Sequence, residues 1–84
     1  MTIEAFQRAK TIIAEIEAEN EKIADIQEAM NKEDIGEWGM AIRRYKTCSY
    51  QYIDHCGLLP EFLKAVYEKH LEKVKSLKKE LAEL

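Results

Sequence analysis

The sequence predicts a mainly α-helical fold, an antiparallel hairpin of two long helices with a short β-hairpin in the connection. Apolar residues spaced alternately by three and four positions near both ends of the chain predict the helices. A middle segment dense in β-branched and aromatic residues predicts the strands. Two helices alone bury one apolar stripe each, so we expect the hairpins to associate as a helical bundle in a homodimer or larger assembly.

The 84 residues make one small domain, 1–84, with a helix over 2–31, a connector over 33–59 and a helix over 60–83. No run approaches the about 18 consecutive apolar residues of a membrane span. The first residues lack the basic flank and apolar core of a signal peptide. We therefore expect a cytoplasmic protein that has no membrane partner.

The first helix is predicted to begin at Thr2, a favourable N-cap, and no proline or glycine interrupts it. Its apolar stripe consists of Phe6, Ala9, Ile13, Ile16, Ile23 and Met30, with Ile12 and Ile26 on the flank. Asn20 is a polar residue on the same stripe. A buried asparagine fixes the register of paired helices, whereas an exposed one marks a part of the stripe that faces water, and both interpretations stay open.

The second helix is predicted to open at Pro60, since proline suits the first helical position. Its stripe runs from Leu63 to Leu84 and includes His70, which we expect to be a packed imidazole with one hydrogen bond. The residues expected in the seams of the oligomer are Phe6, Ile13, Ile16, Asn20, Ile23, Tyr67, His70, Val74, Leu77 and Leu81.

The connector admits two interpretations. As a helix, it would start at a capping box of Asp34 and Glu37 and end at Gly57, which gives a three-helix bundle. As a β-hairpin, residues 40–45 pair with residues 50–55 around a loop at 46–49, so that Arg43 faces Tyr52. We prefer the hairpin, because the segment is rich in β-branched and aromatic residues and poor in strong helix formers.

The chain combines a long first helix, a strand-like middle, and Leu-Pro-Glu-Phe-Leu opening a helix that ends Leu-Lys-Lys-Glu-Leu-Ala-Glu-Leu. This arrangement resembles small phage and prophage proteins, most of which have no assigned function. The resemblance spans most of the chain. It implies a helical hairpin with a small β element and supplies no catalytic residues.

The sequence argues against an enzyme. Asp54, His55 and Cys56 are adjacent, so their side chains point in different directions and cannot align as nucleophile, base and orienting group. The spacing of Cys48, His55 and Cys56 matches no standard zinc site, so we expect free, buried thiols, no metal and no cofactor. The formal net charge of −3 argues against a nucleic-acid duplex as the main ligand.

A basic and aromatic cluster in the connector is the candidate site for a ligand or partner. Its members are Trp38, Arg43, Arg44, Tyr45, Lys46, Tyr50 and Tyr52. Guanidinium groups hold phosphates through paired hydrogen bonds, and tyrosine rings offer surfaces on which a base stacks. The alternative is that Arg43 stacks on Tyr52 across the hairpin, while Arg44 pairs with the acidic first helix.

These observations favour a non-enzymatic, oligomeric interaction protein, phage-encoded according to the resemblance, which acts by binding or occupying a host protein. The alternative function is a module that sequesters a nucleotide or another small anionic ligand at an oligomer interface, through the arginine and tyrosine cluster. The sequence leaves open the identity of the partner or ligand and the number of subunits.

Overall fold

The computed structural model describes residues 2–84 as two helices and two strands. Helix α1 spans Ile3–Met30, strand β1 Met40–Arg44, strand β2 Ser49–Ile53 and helix α2 Leu59–Ala82; a single 3₁₀ turn, Ile35–Glu37, precedes β1. The predicted helical hairpin with an antiparallel two-stranded sheet in its connection is confirmed. The three-helix alternative is wrong, because the β-branched and aromatic residues of the connector form extended strands.

The helix starts follow the local chemistry of the chain. The Thr2 hydroxyl accepts the backbone N–H of Ala5 at 3.0 Å, which confirms the predicted N-cap. Helix α2 begins at Leu59, so Pro60 is the second rather than the first helical residue. A backbone N–H at the second helical position, as at the first, has no acceptor within the helix, so proline loses no helical hydrogen bond there. No helix within residues 2–84 has an apolar stretch of the length needed to cross a membrane.

Helices α1 and α2 lie antiparallel, since Arg8 contacts Glu80 and Gln27 contacts Tyr67. The α1 residues that form the buried seam are Ala5, Ala9, Ile12, Ile16, Glu19, Ile23, Ile26 and Met30. These positions repeat strictly by four and three residues, as in a heptad seam. On α2 the seam uses the predicted stripe: Tyr67, His70, Val74, Leu77 and Leu81 are buried or half-buried.

The α1 seam differs in part from the predicted stripe. Phe6, Ile13 and Asn20 each lie one residue beyond a seam position and are exposed within the chain. They are not part of the buried seam with α2, and their place in a seam between copies of the chain stays a prediction. Ile16 and Ile23 pack against α2 as expected.

The hairpin register is shifted by two residues from the predicted one. Arg43 pairs with Tyr50 rather than Tyr52, and the loop is 45–48 rather than 46–49. The last residue of the observed loop, Cys48, adopts a left-handed backbone conformation, with φ of 53°. A shift of two preserves which side chains share a face, since the side-chain period of a strand is two.

The chain forms a single flat layer. Its extents are 51 × 31 × 15 Å and its radius of gyration is 16.9 Å, whereas a compact domain of this length has a radius near about 12 Å. Within residues 2–84 the buried apolar side chains are Ala9, Ile12, Ile23, Leu59 and Val74. The accessible surface is 6948 Å², against about 5,200 Å² for a compact monomer of this mass. One chain therefore exposes far more surface than a globular domain.

Candidate functional site

The β-hairpin stands out from the helices as an arm, which we define as residues 40–53. Only Met40 and Ile53, at its base, are half-buried, and every other residue of the two strands is exposed. The exposed fractions of Tyr45 and Tyr52 reach 86% and 83%. The arm thus presents six of the seven predicted binding residues to solvent.

Arg43 lies at the centre of the aromatic part of the arm. Its guanidinium carbon is 5.9 Å from the ring centre of Tyr50 and 6.0 Å from that of Tyr45. Its Nη2 also donates to the Cys48 Sγ at 3.5 Å. The predicted stacking on Tyr52 is wrong, because Tyr52 pairs with Ala41 in the observed register. The guanidinium therefore lies near both rings, at distances that allow cation–π attraction.

The basic residues of the arm do not form one patch. Arg44 follows Arg43 directly in β1, so the two side chains point to opposite faces of the sheet. Among residues 2–84 Arg44 makes no ion pair with α1, so that predicted alternative is wrong. Lys46 lies in the loop. One face carries Arg43 with Tyr50 and Tyr52, and the other face carries Arg44.

Trp38 belongs to the base of the arm rather than to this cluster. Its indole Nε1 donates to Asp34 Oδ1 at 3.0 Å, and the Lys32 Nζ lies 5.0 Å from the ring centre. Arg43 lies five positions further along the chain, about 16 Å where the backbone is extended. The structure therefore does not bring Trp38 together with the arginine and tyrosine cluster.

The segment after β2 uses its polar side chains to build a turn. Asp54 Oδ1 accepts the N–H of Cys56 at 2.9 Å, and the N–H of Gly57 donates to His55 Nδ1 at 3.1 Å. His55 Nε2 then donates to the carbonyl oxygen of Trp38 at 2.7 Å. These bonds tie the two ends of the arm together at its base. Within residues 2–84, Cys48 and Cys56 are both free and exposed, so the expectation of buried thiols is wrong.

An open apolar groove of about 510 Å³ lies where the base of the arm meets α2. Met40 and Ile53 line it from the arm, and Leu58 and Phe62 line it from the start of α2. Leu58 and Phe62 are both more than half exposed. Asp54 and Glu61 also line the groove, so it combines an apolar floor with acidic groups.

Glu19 is a buried charge that the sequence interpretation missed. It accepts hydrogen bonds from His70 Nδ1, from Lys73 Nζ at 3.3 Å and from Lys22 Nζ at 3.4 Å. The bond from His70 is the main cause that lowers the pKa of Glu19 from 4.5 to about 2; Lys73 and Lys22 assist, and burial opposes. The predicted packed His70 with one hydrogen bond is confirmed. The signal in the sequence was the heptad frame that contains Glu19.

The described residues, 2–84, contain no group of three metal-ligating side chains that converge. Comparisons with protein-family models, curated proteins and solved structures gave no match, so the resemblance to phage proteins stays a prediction from the sequence.

Proposed function

We propose that the protein is a non-enzymatic, homo-oligomeric interaction protein that binds a partner protein through its arm. The observation that carries the proposal is the surplus of accessible surface. The chain exposes 6948 Å², about 1,700 Å² more than a compact monomer of its mass. Obligate homodimers bury about 1,000–2,500 Å² on each subunit, so the surplus matches what a second subunit covers.

The helices offer an apolar flank for this association, which we define as Phe6, Ile13 and Leu71. Each lies one residue after a seam position and is exposed. Arg8 and Glu80 each lie one residue before a seam position and meet across the opposite flank at 2.8 Å. Ion pairs thus close one flank, while apolar side chains remain uncovered on the other. This asymmetry supports pairing of two hairpins through the apolar flank.

Light scattering on two glutamate variants tests the association. Ile13→Glu places a charge on the apolar flank, so we expect the mass to fall towards the 9.8 kDa of one chain. Ala14→Glu is the matched control, because Ala14 is exposed and lies outside the seam and the flank. Circular dichroism checks that both variants keep their helices. A wild-type mass of one chain at every concentration would contradict the proposal.

The arm is the proposed surface for the partner protein. Tyrosine and arginine are enriched among residues that dominate binding energy in interfaces, and the arm presents both in exposed positions. The groove at its base accepts an apolar side chain next to the acidic Asp54 and Glu61. Under the resemblance to phage proteins, the partner is a host protein.

Affinity capture from a bacterial lysate tests this surface. We expect Arg43→Glu to lose a partner that the wild type retains, because the substitution reverses the charge between Tyr45 and Tyr50. Glu21→Lys, an exposed charge reversal on α1, is the control and should retain the partner. Identical captured proteins for all three baits would contradict a binding role of the arm.

The position of Arg43 also favours a second candidate function, the sequestering of a nucleotide or another small anion. A guanidinium near the rings of Tyr45 and Tyr50 offers charge and stacking surfaces at one place. Isothermal titration with a panel of nucleotides should give saturable heat that Arg43→Ala removes. Absence of heat with every nucleotide at protein concentrations well above micromolar would exclude this function.

A further inference from the structure

The two outer edges of the arm differ in charge. Strand β1 carries Arg43 and Arg44, whereas β2, Ser49–Ile53, carries no charged residue, proline or glycine. The pairing of the two strands is continuous, without a bulge. Natural proteins protect exposed sheet edges with charges, prolines or bulges, because unpaired backbone groups there accept a further strand. The edge of β2 has none of these protections.

A sheet of only two strands is marginally stable in water. In this chain the helices support only the base of the arm, where Met40 and Ile53 are half-buried. The strand order contains β1 and β2 alone, so the outer edge of β2 has no partner within residues 2–84. Additional strands from outside the chain would supply the missing pairing.

The sequence of β2 is suited to pairing with itself. Tyr50 and Tyr52 flank Gln51 symmetrically, and both tyrosines are exposed on the same face of the strand. An antiparallel pairing on a two-fold axis at Gln51 places Tyr50 opposite Tyr52 of the partner subunit, and Tyr52 opposite Tyr50 of the partner subunit. Aromatic residues directly opposite each other stabilise such a pair of strands.

We propose that two copies of the chain pair antiparallel along their β2 edges, centred on Gln51, so that two arms form one four-stranded sheet. This proposal rests on the proposed homo-oligomer and identifies one of its contacts. The surplus surface of about 1,700 Å² in each chain leaves room for this contact beside the apolar flank. The shared face joins four tyrosines between two Arg43 guanidinium groups, a surface that one chain does not complete.

A charge-swap experiment tests the contact. Gln51→Lys and Gln51→Glu are prepared separately, one with a short tag, and are mixed, and native mass spectrometry counts the species. Because residue 51 faces itself across the two-fold axis, like charges oppose the pure dimers and opposite charges favour the mixed dimer. The measured ratio is the squared concentration of the mixed dimer divided by the product of the concentrations of the two pure dimers. We expect this ratio to exceed its value for random mixing by about tenfold or more.

The matched control places the same charges on Ile42, which faces Gln51 on β1. In the four-stranded sheet the two copies of Ile42 are three strand spacings apart, about 14 Å, where salt screens their interaction. This pair should mix statistically. Circular dichroism confirms that all four variants are folded.

The outcomes separate this contact from the oligomer itself. Statistical mixing of the Gln51 pair in intact oligomers overturns the β2 contact and leaves the homo-oligomer standing. A wild type that stays monomeric overturns both. Amide hydrogen exchange of the wild type is the second measurement. Exchange in β2 should slow as the protein is concentrated through its association range, and unchanged exchange there also overturns the contact.

Discussion

Glu19 shows how a charged residue is accommodated inside an apolar seam. Its side chain is 8% exposed, and its carboxylate is surrounded by the donors of His70, Lys73 and Lys22. A buried charge without such partners costs several kcal/mol, on the order of what stabilises a small domain. Sliding α2 by one turn would set Glu19 opposite an apolar residue such as Val74. The contact between Glu19 and its donors on α2 therefore favours one register of the two helices.

Glu19→Ala should destabilise the fold by about 1–2 kcal/mol, since it leaves the half-buried His70 without its acceptor while the exposed lysines return to water. Glu21→Ala, an exposed position two residues along the helix, should change stability by less than about 0.5 kcal/mol. Urea unfolding at one fixed protein concentration measures both. Equal midpoints for the two variants would show that the Glu19 cluster adds no stability.

The lowered pKa of Glu19 predicts acid sensitivity. The carboxylate has a pKa of about 2 in the folded chain and an ordinary value of 4.5. The folded state therefore binds the proton less readily than the unfolded state. The stability that this group adds is complete above about pH 5 and is lost as the pH falls from 4.5 towards 2.

Urea midpoints measured from about pH 6 down to about pH 2 check the prediction. The wild type should lose stability more steeply than Glu19→Gln, which has no carboxylate to titrate at this position. Parallel curves for the two proteins would assign the acid loss to other groups.

At the scale of the elements, the sequence predicts both helices, the Thr2 cap and the β-hairpin. It does not settle which face of α1 is buried. Two heptad frames share Ala9, Ile16, Ile23 and Met30. They differ at the positions between these residues, where the first frame uses Phe6 and the second uses the preceding Ala5, and so on along the helix. The first frame looks more apolar at its start. The structure uses the second frame, which buries Ile12 and half-buries Ile26. Its polar member, Glu19, meets donors on α2 that only the three-dimensional arrangement reveals.

The hairpin register was not predictable for a related reason. Turn position is usually read from glycine or asparagine, and residues 45–48 contain neither. Cys48 takes the left-handed conformation without that signal. The predicted arginine and tyrosine cluster consequently forms only in part, with Tyr50 rather than Tyr52 beside Arg43. Trp38 stays at the base of the arm, because the strand direction separates it from the loop.

Cys48→Gly should stabilise the arm by up to about 1 kcal/mol. Glycine adopts φ near +53° without the steric cost that a Cβ carries there. Thr47→Gly is the matched control. The φ angle of Thr47 is not positive, so glycine at this position should destabilise the loop by increasing the entropy of the unfolded chain. Amide exchange in β1 and β2 measures the effect. Faster exchange in Cys48→Gly would contradict it.

For the whole molecule, the single layer of 51 × 31 × 15 Å leaves both broad faces and the arm in contact with solvent. Few of its apolar side chains are buried, and a single small core in a chain of this length adds little stability. The apolar stripes in the sequence indicate that the helices need partners. The packing of α1 on α2 decides which apolar residues are buried inside the chain and which remain exposed.

The melting temperature should therefore depend on protein concentration. If the folded chain is an oligomer, each tenfold increase in concentration favours it by mass action, and we expect a rise of about 3 °C or more. Differential scanning calorimetry over a roughly hundredfold range of protein concentration checks this prediction. A constant melting temperature would indicate a stable monomer, in which the exposed apolar flank has no second copy to cover it.

The placement of Trp38 has a practical consequence, because it is the sole indole chromophore of the sequence. Trp38 is 46% exposed, and its indole is hydrogen-bonded where the arm joins the helices. Its fluorescence emission consequently reports on this junction, while far-ultraviolet circular dichroism reports on the two helices, Ile3–Met30 and Leu59–Ala82. Following both wavelengths in one titration distinguishes an arm that detaches early from a chain that melts as one unit.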